Sequence, residues 1–309
     1  MFGFLKKNSQ TPYQTSNHGI PSIWVGSYHS HNEWLSAAPG VAAFDAIADA
    51  IDDKLLPSRR EVPLKAWCAA CGKSTTMRFR WYYSSIGQDG AVTPPWTETP
   101  NCDECCLNSR MRAVLALLNK NCTPRDSDIY ITEAVTDGFR QFSRIYPKAI
   151  GSEYFGGDKK SGTKYPMDEF GLVRHEDLTK LSFPEASFDA VIAQEVFEHI
   201  PDYIGAFAEC KRVLKAGGRL VFTIPFSCNT RDTLVRAKLD SNGKLVHLHP
   251  AVYHGNPVDS AGSLCFQDFG WDVLEHLRDA GFRQACAHMY WGPWQGHLGT
   301  SNFVFEAVV

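Results

Sequence analysis

The sequence predicts an α/β chain in which a doubly wound, mostly parallel sheet follows a small cysteine-rich module. Three observations predict it. From about residue 128 onward, short runs of β-branched and aromatic residues alternate with amphipathic stretches, the pattern of parallel strands joined by crossover helices. Acidic or polar residues stand directly after those runs, where an open parallel sheet gathers its ligands. Ahead of them, five of the ten cysteines fall within residues 68–106, which sets that segment apart from the rest.

Composition bounds the chemistry. At 309 residues, with 44% hydrophobic and 12% aromatic residues, the chain is long enough for two domains and apolar enough to bury a core. A formal net charge of −3 and a pI near 6.4 give no polyanion-binding footprint, which disfavours nucleic acid as a substrate. No uninterrupted apolar run approaches the roughly 18 residues that span a bilayer. The apolar part of residues 1–7 is too short for a secretory signal, so the expected compartment is the cytoplasm. In that compartment clustered cysteines point to a metal, and the scattered ones to buried thiols.

Residues 1–61 read as a leader. Its first twenty or so residues are polar and expected to be mobile, and residues 42–56 have the apolar spacing of a short amphipathic helix. Trp24, Tyr28 and Trp34 read as packing residues. Residues 62–122 form the second unit. Cys68-Ala-Ala-Cys71-Gly72 is followed, after 30 intervening residues, by Cys102-Asp-Glu-Cys105-Cys106. Between the pairs, residues 77–83 have strand composition and run into a Gly- and Pro-rich turn. Residues 108–118 read as a helix capped by Asn108 or Ser109. Two Cys-x-x-Cys knuckles at this spacing form a zinc-ribbon pattern, because each turns two thiolates toward one ion. Gly72 suits a knuckle, where backbone amides must turn toward sulfur. The expected ligands are Cys68, Cys71, Cys102 and Cys105; Cys106 competes for the fourth place, and the two-residue spacer favours Cys105. Four thiolates close the coordination sphere, so the zinc would be structural. Arg110 and Arg112, on the helix leading out of the module, would meet either an anionic group or carboxylates across the junction.

Residues 123–309 carry the alternation. Strands are expected at 128–133, 149–154, 172–177, 188–193 and 219–225, with helical stretches up to Tyr146, over 195–199, and over 203–214, where Lys215-Ala-Gly-Gly218 stops the helix. The tail departs from simple alternation. Segments 233–239 and 244–249 flank Asp240-Ser-Asn-Gly243 as a hairpin, 269–280 reads as a helix, and 283–290 and 302–309 read as strands. Glu153 lies 20 residues after Glu133, the distance at which a Rossmann-like unit offers a carboxylate to ribose hydroxyls.

Residues 176–201, from Glu176-Asp-Leu-Thr to Glu198-His-Ile-Pro201, together with Glu209-Cys-Lys-Arg-Val-Leu-Lys-Ala-Gly-Gly-Arg-Leu220 and Val221-Phe-Thr-Ile-Pro225, resemble class I S-adenosylmethionine-dependent methyltransferases of the type 11 subfamily. The resemblance implies S-adenosylmethionine as cofactor. It implies that Glu153 holds the ribose, Tyr154 lies against the adenine, Asp177 and the Leu178 amide read the adenine edge, and Gln194 lines the methionine side. Such enzymes carry an acidic residue and then alternating glycines after the first strand. Here Glu133-Ala-Val-Thr-Asp-Gly138 keeps the acid and only Gly138. Asp177 also reads as a turn cap, Asp189 as a turn or sheet-edge residue, and His199 as a packed core histidine rather than a base.

An acceptor hydroxyl would profit from a base, whereas an amine needs only to be neutral. His254 and His249, within His247-Leu-His249-Pro-Ala-Val-Tyr-His254-Gly255, are the candidates. A metal among these histidines is not expected, since no carboxylate or cysteine is placed to complete a site; a surface hairpin with incidental histidines is the alternative to a substrate-facing set. The function expected is methyl transfer to a hydroxyl or amine of a small-molecule or glycan-type acceptor, with a structural zinc. The alternatives are a binding module that keeps the fold without turnover and an RNA methyltransferase, which the acidic charge argues against.

Overall fold

The computed structural model describes residues 19–56, 63–81, 84–86 and 92–309. The polar N-terminus expected to be mobile, the boundary between leader and module, the end of the 77–83 run and most of the turn after it lie outside the described residues.

The chain begins with strand β1 (Trp24–Tyr28) and helix α1 (His31–Leu55). The cysteine module follows as β2 (Pro63–Cys68), β3 (Lys73–Arg78) and β4 (Asn101–Cys102), paired side by side in that order, and ends in helix α2 (Ser109–Leu118). The sheet domain then runs β5 (Ile129–Ile131), α3 (Asp137–Ile145), β6 (Ile150–Gly151), β7 (Lys164–Met167), β8 (Gly171–Arg174) and β9 (Phe188–Gln194). It closes with α4 (Tyr203–Val213), β10 (Leu214–Thr223), α5 (Val273–Asp279), β11 (Gln284–Gly292) and β12 (His297–Val308).

Seven strands lie side by side in the order β1-β11-β12-β10-β9-β5-β6. β6, β5, β9 and β10 are mutually parallel. β12 runs antiparallel to both β10 and β11, so β11 points with the parallel set, and β1 closes the edge antiparallel to β11. The fold is thus the doubly wound, Rossmann-like α/β sheet that the alternation predicts, with the cysteine module at its N-terminal side. After β5 the chain steps outward to β6, then returns to the other side of β5 as β9. That reversal is the topological switch point, and it fixes where ligands can enter.

Both faces of the sheet are covered, as its continuous apolar strands require. Successive side chains of a strand point to opposite faces. Val191 and Ala193 therefore join Leu220, Phe222 and Phe305 under α4 and α5, while Ala190, Ile192, Val221 and Val304 join the other core with Leu115 and Leu118 of α2 and Phe142 of α3. Cys68, Met77 and Cys105 belong to that second core. The module and the sheet consequently share one hydrophobic interior.

Several elements differ from the sequence expectation. The helix expected at 42–56 starts at His31, capped by the Ser30 hydroxyl on the Glu33 amide, and passes through Pro39. Tertiary contact overrides the proline: Trp34 stacks on Trp271 at 5.4 Å and meets Tyr28 edge-on at 5.0 Å. The same helix, by length and composition, is apolar enough to cross a membrane, although no single run of the sequence suggests it; here Trp34, Ala48 and Asp52 are buried. The third strand does not enter the central sheet. β8 pairs antiparallel with β7, a partner supplied by the intervening insertion, and is followed by the Glu153–His175 bridge toward the sheet. Residues 195–199 make a 3-10 turn (Phe197–His199) rather than an α-helix, because Glu195 takes φ +55°. The expected 233–249 hairpin forms with Ala237–Leu239 against Leu245–His247, and the helix expected from 269 starts at Val273.

Candidate functional site

Glu133, Gln194 and Glu195 stand at the carboxyl ends of β5 and β9, on either side of the switch point. Gln194 Nε2 donates to Glu133 Oε1 across it at 3.2 Å, and the Thr136 hydroxyl donates to Oε2 at 2.7 Å. Burial raises the Glu133 pKa, against those two bonds and the nearby Arg110 charge. Gly138, in the first turn of α3, is where the carboxylate rests: a Cβ there would lie 2.8 Å from Glu133 Oε1. The single glycine of this loop thus stands where space is needed.

Glu153 is buried after β6, and its Oε1 accepts from the Ala134 and Val135 amides at 2.8 and 3.1 Å. These amides belong to the loop where glycines were missed. Burial pushes the Glu153 carboxyl up to about 7, opposed by the two amides and reinforced by Glu133. One oxygen holds the loop and Oε2 remains for a further donor. Tyr154 is exposed, its ring 5.5 Å from His175, whose Nδ1 accepts from the Phe155 amide. Asp177 Oδ1 receives both the amide and the hydroxyl of Thr179, at 2.9 and 2.7 Å, so it does cap a turn. Leu178 packs in the core. Four buried polar atoms at strand ends have no hydrogen-bond partner among the described residues: Thr132 Oγ1, His175 Nε2, Gln194 Oε1 and Thr223 Oγ1. Buried groups of this kind are ordinarily satisfied, so their concentration here suits a polar ligand.

A cleft of about 340 Å³ is lined by Tyr154, Phe155, His199, Asn256, Leu264 and Phe266 among others. His254 lies, through Nδ1, 3.3 Å from Glu198 Oε1, and its ring meets that of His199, a lining residue, edge-on at 5.1 Å. Cys265 and then Glu198 hold the His254 pKa well above its ordinary range. His249 is exposed, just past the hairpin strand that carries His247. The two candidate histidines are therefore unlike in surroundings.

Sequence reasoning placed Glu195 at a strand end without giving it a role, and missed Glu198 and Cys265. Glu195 holds φ +55° directly after β9 and faces Arg110 at 3.9 Å, a non-glycine strain of the sort that collects at functional sites. Its only sequence signal is its place at a strand end. Glu198 is wholly buried. Cys265 read as one more scattered thiol, since only the fold brings it to His254.

In the cysteine module Cys68, Cys71, Cys102 and Cys105 gather with all four sulfurs within 4.8 Å of one another. Cys68–Cys105 and Cys71–Cys102 are 3.7 and 3.8 Å apart. A tetrahedron of zinc–sulfur bonds of ~2.3 Å has edges of about 3.8 Å, so the set fits zinc. Cys106 is exposed, with φ +63°. Gly72, at φ +65°, donates its amide to the Cys68 carbonyl and lets the first knuckle close. Arg112 is buried beneath the cluster and donates to the carbonyls of Pro100, Leu107 and Gly296, while Arg110 pairs with Glu98 at 2.9 Å. Both arginines join module to sheet.

Residues 149–222, the block that contains Glu153, Asp177 and Gln194, match the family model of a methyltransferase domain. The match covers about a quarter of the chain. Over 129 residues, 40% of the chain, the sequence is 33% identical to a sterol 24-C-methyltransferase of Gibberella zeae, of which the match covers 31%. The 27-O-demethylrifamycin SV methyltransferase of Amycolatopsis mediterranei is 39% identical over 57 residues, 18% of this chain and 21% of that enzyme. The chain thus spans less than a third of the length of these curated relatives. A solved S-adenosylmethionine-dependent methyltransferase from Mesorhizobium loti overlays 64% of this chain and 96% of its own at a TM-score of 0.39 and 15% identity. The cysteine module lies outside the matched block.

Proposed function

We propose that this chain transfers a methyl group from S-adenosylmethionine to a hydroxyl or amine of a small-molecule or glycan-type acceptor. The observation that carries the reading is the family match over residues 149–222, because that block bears the strand-end residues. The cofactor brings the reactive methyl, and the protein supplies orientation. In this reading Glu153 Oε2 takes the ribose hydroxyls and Tyr154 lies against the adenine. Asp177 and the Leu178 amide read the adenine edge, while Glu133, Gly138 and Gln194 border the methionine end. His254 stands at the acceptor, and His249, being exposed, touches it only if the acceptor extends over the surface. The names of the curated relatives, a sterol and a rifamycin methyltransferase, support a small-molecule acceptor. We also propose that Cys68, Cys71, Cys102 and Cys105 hold a structural zinc, on the fit of their spacing to a thiolate tetrahedron.

Calorimetric titration with S-adenosylmethionine tests the first reading. One equivalent should bind and raise the melting temperature. No heat and no thermal shift would overturn it, and binding without methylation of any component of a cell extract would make the chain a binding module.

A further inference from the structure

Away from the cysteine module, a second set of metal-ligating side chains meets around His199, which lines the cleft. The ligand atoms of His199, His254 and Cys265 lie within 4.8 Å of one another. They come from separate pieces of chain. His199 ends the turn after β9, His254 lies on a short strand paired with Ser263–Leu264, and Cys265 follows that pair. Gln267 fastens the pieces together by donating to the carbonyls of Phe197 and Ile200, and the Phe266 amide donates to the Glu198 carbonyl.

The orientation of His199 is that of a ligand. Its Nδ1 lies 2.9 Å from the Leu264 carbonyl. A carbonyl only accepts, so Nδ1 carries the proton and Nε2 keeps its lone pair. A backbone carbonyl behind the ring is the usual device that aims a metal-binding imidazole. Independent of this, Glu198 beside the cluster is wholly buried, and neither of its carboxylate oxygens has a hydrogen-bond partner among the described residues. The two imidazoles approach its Oε1 to 3.3 and 3.5 Å, close enough for charge attraction but off hydrogen-bond geometry. A buried carboxylate in this condition calls for a positive charge beside it, which an imidazolium or a bound cation can supply.

We propose that His199, His254 and Cys265 form a second metal site, for a borderline-soft divalent ion such as zinc, with Glu198 as the buried charge beside it. Two imidazoles and one thiolate leave a tetrahedral ion one open position. His199 lines the cleft, so that position suits a lone pair of a hydroxyl, thiol or amine entering there. That the entering group is the methyl acceptor rests on the methyl-transfer reading; the metal site itself does not.

The experiment measures zinc per chain by mass spectrometry after saturation and desalting, with cobalt absorbance as a second readout. The full-length protein should hold two equivalents. Cys265→Ser and His199→Gln should each hold one, with the strong thiolate–cobalt band of the cysteine module unchanged and the second equivalent at least a hundredfold weaker. A single equivalent in the parent protein, unaltered in both variants, overturns the proposal. Should one variant fail to fold, the other, together with His254→Gln, decides. Calorimetry with S-adenosylmethionine on the same samples separates the two readings. Binding of the cofactor with one zinc sinks the second site alone, and two zincs without cofactor binding sink the methyl-transfer reading alone.

Discussion

In the proposed methyl-transfer reading, Glu153 concentrates the chemistry of the cofactor site in one carboxyl. Its pKa of about 7 arises first from burial, so near neutral pH the free protein holds a mixture of acid and carboxylate. Ribose hydroxyls donate best to the carboxylate. Binding then releases a proton whenever Glu153 starts protonated. Affinity for S-adenosylmethionine should therefore fall as pH drops through about 7, approaching tenfold per unit below it. Titrations between pH 5.5 and 8.5 check this, and Glu153→Gln should bind weakly with no such slope. Gly138 offers a second probe. The added methyl of Gly138→Ala would press on the end of a flexible Glu133 side chain, which can swing aside. Alanine is also the better helix residue, by about 1 kcal/mol. We expect global stability within ~1 kcal/mol of the parent and cofactor affinity reduced about tenfold, read by thermal melting and calorimetry on one sample.

At the scale of elements, α1 shows how a charge can be placed to tune stability. Asp52 is buried, accepting from the Gly299 amide at 2.6 Å and lying 3.4 Å from Trp291 Nε1. Burial first, with Asp49 and Asp53 adding repulsion, pushes its pKa up to about 6 against the two donors. An acid whose folded pKa exceeds the unfolded value of ~3.9 binds more protons when folded over the interval between them. Stability from this group is thus full below about pH 4, declines as pH rises to about 6, and is level above. Asp52→Asn removes the titration. The melting temperature of the variant relative to the parent should rise between pH 4 and 6 and then stay constant. The sequence showed the amphipathic part of this helix but not its first eleven residues, because Pro39 reads as a stop when the aromatic contacts that overrule it are unseen. The hairpin of β7 and β8 escaped for a related reason: an apolar run does not say which partner will pair with it.

For the whole molecule, the alternation of strands and helices was readable because both periods are local, whereas the site was readable only where it lies at strand ends. Glu133, Glu153 and Gln194 follow strands and could be named from sequence. Cys265 and Glu198 reach His254 only through the tail's packing, which no local pattern encodes. The cysteine spacing is the opposite case, since its geometry is written in two short knuckles. Its consequences are not local, however. Cys68 and Cys105 share a core with Val114, Leu118, Ile129 and Val304, Arg112 ties the cluster to Gly296, and Arg110 bridges Glu98 to Glu195 beside the switch point. Loss of the proposed zinc there would remove folding free energy and loosen the helix that carries both arginines. Cys71→Ser alters a half-buried thiol that packs at the edge of this core, so its direct packing cost is small. At roughly 2–4 °C per kcal/mol for a domain of this size, losing the ion should lower the melting temperature by about 5–10 °C. Because α2 holds Glu195 through Arg110, cofactor affinity should fall in the same variant, although no cysteine touches the cofactor site. An unchanged affinity together with a lowered melting temperature would show that the module and the site are joined in stability alone.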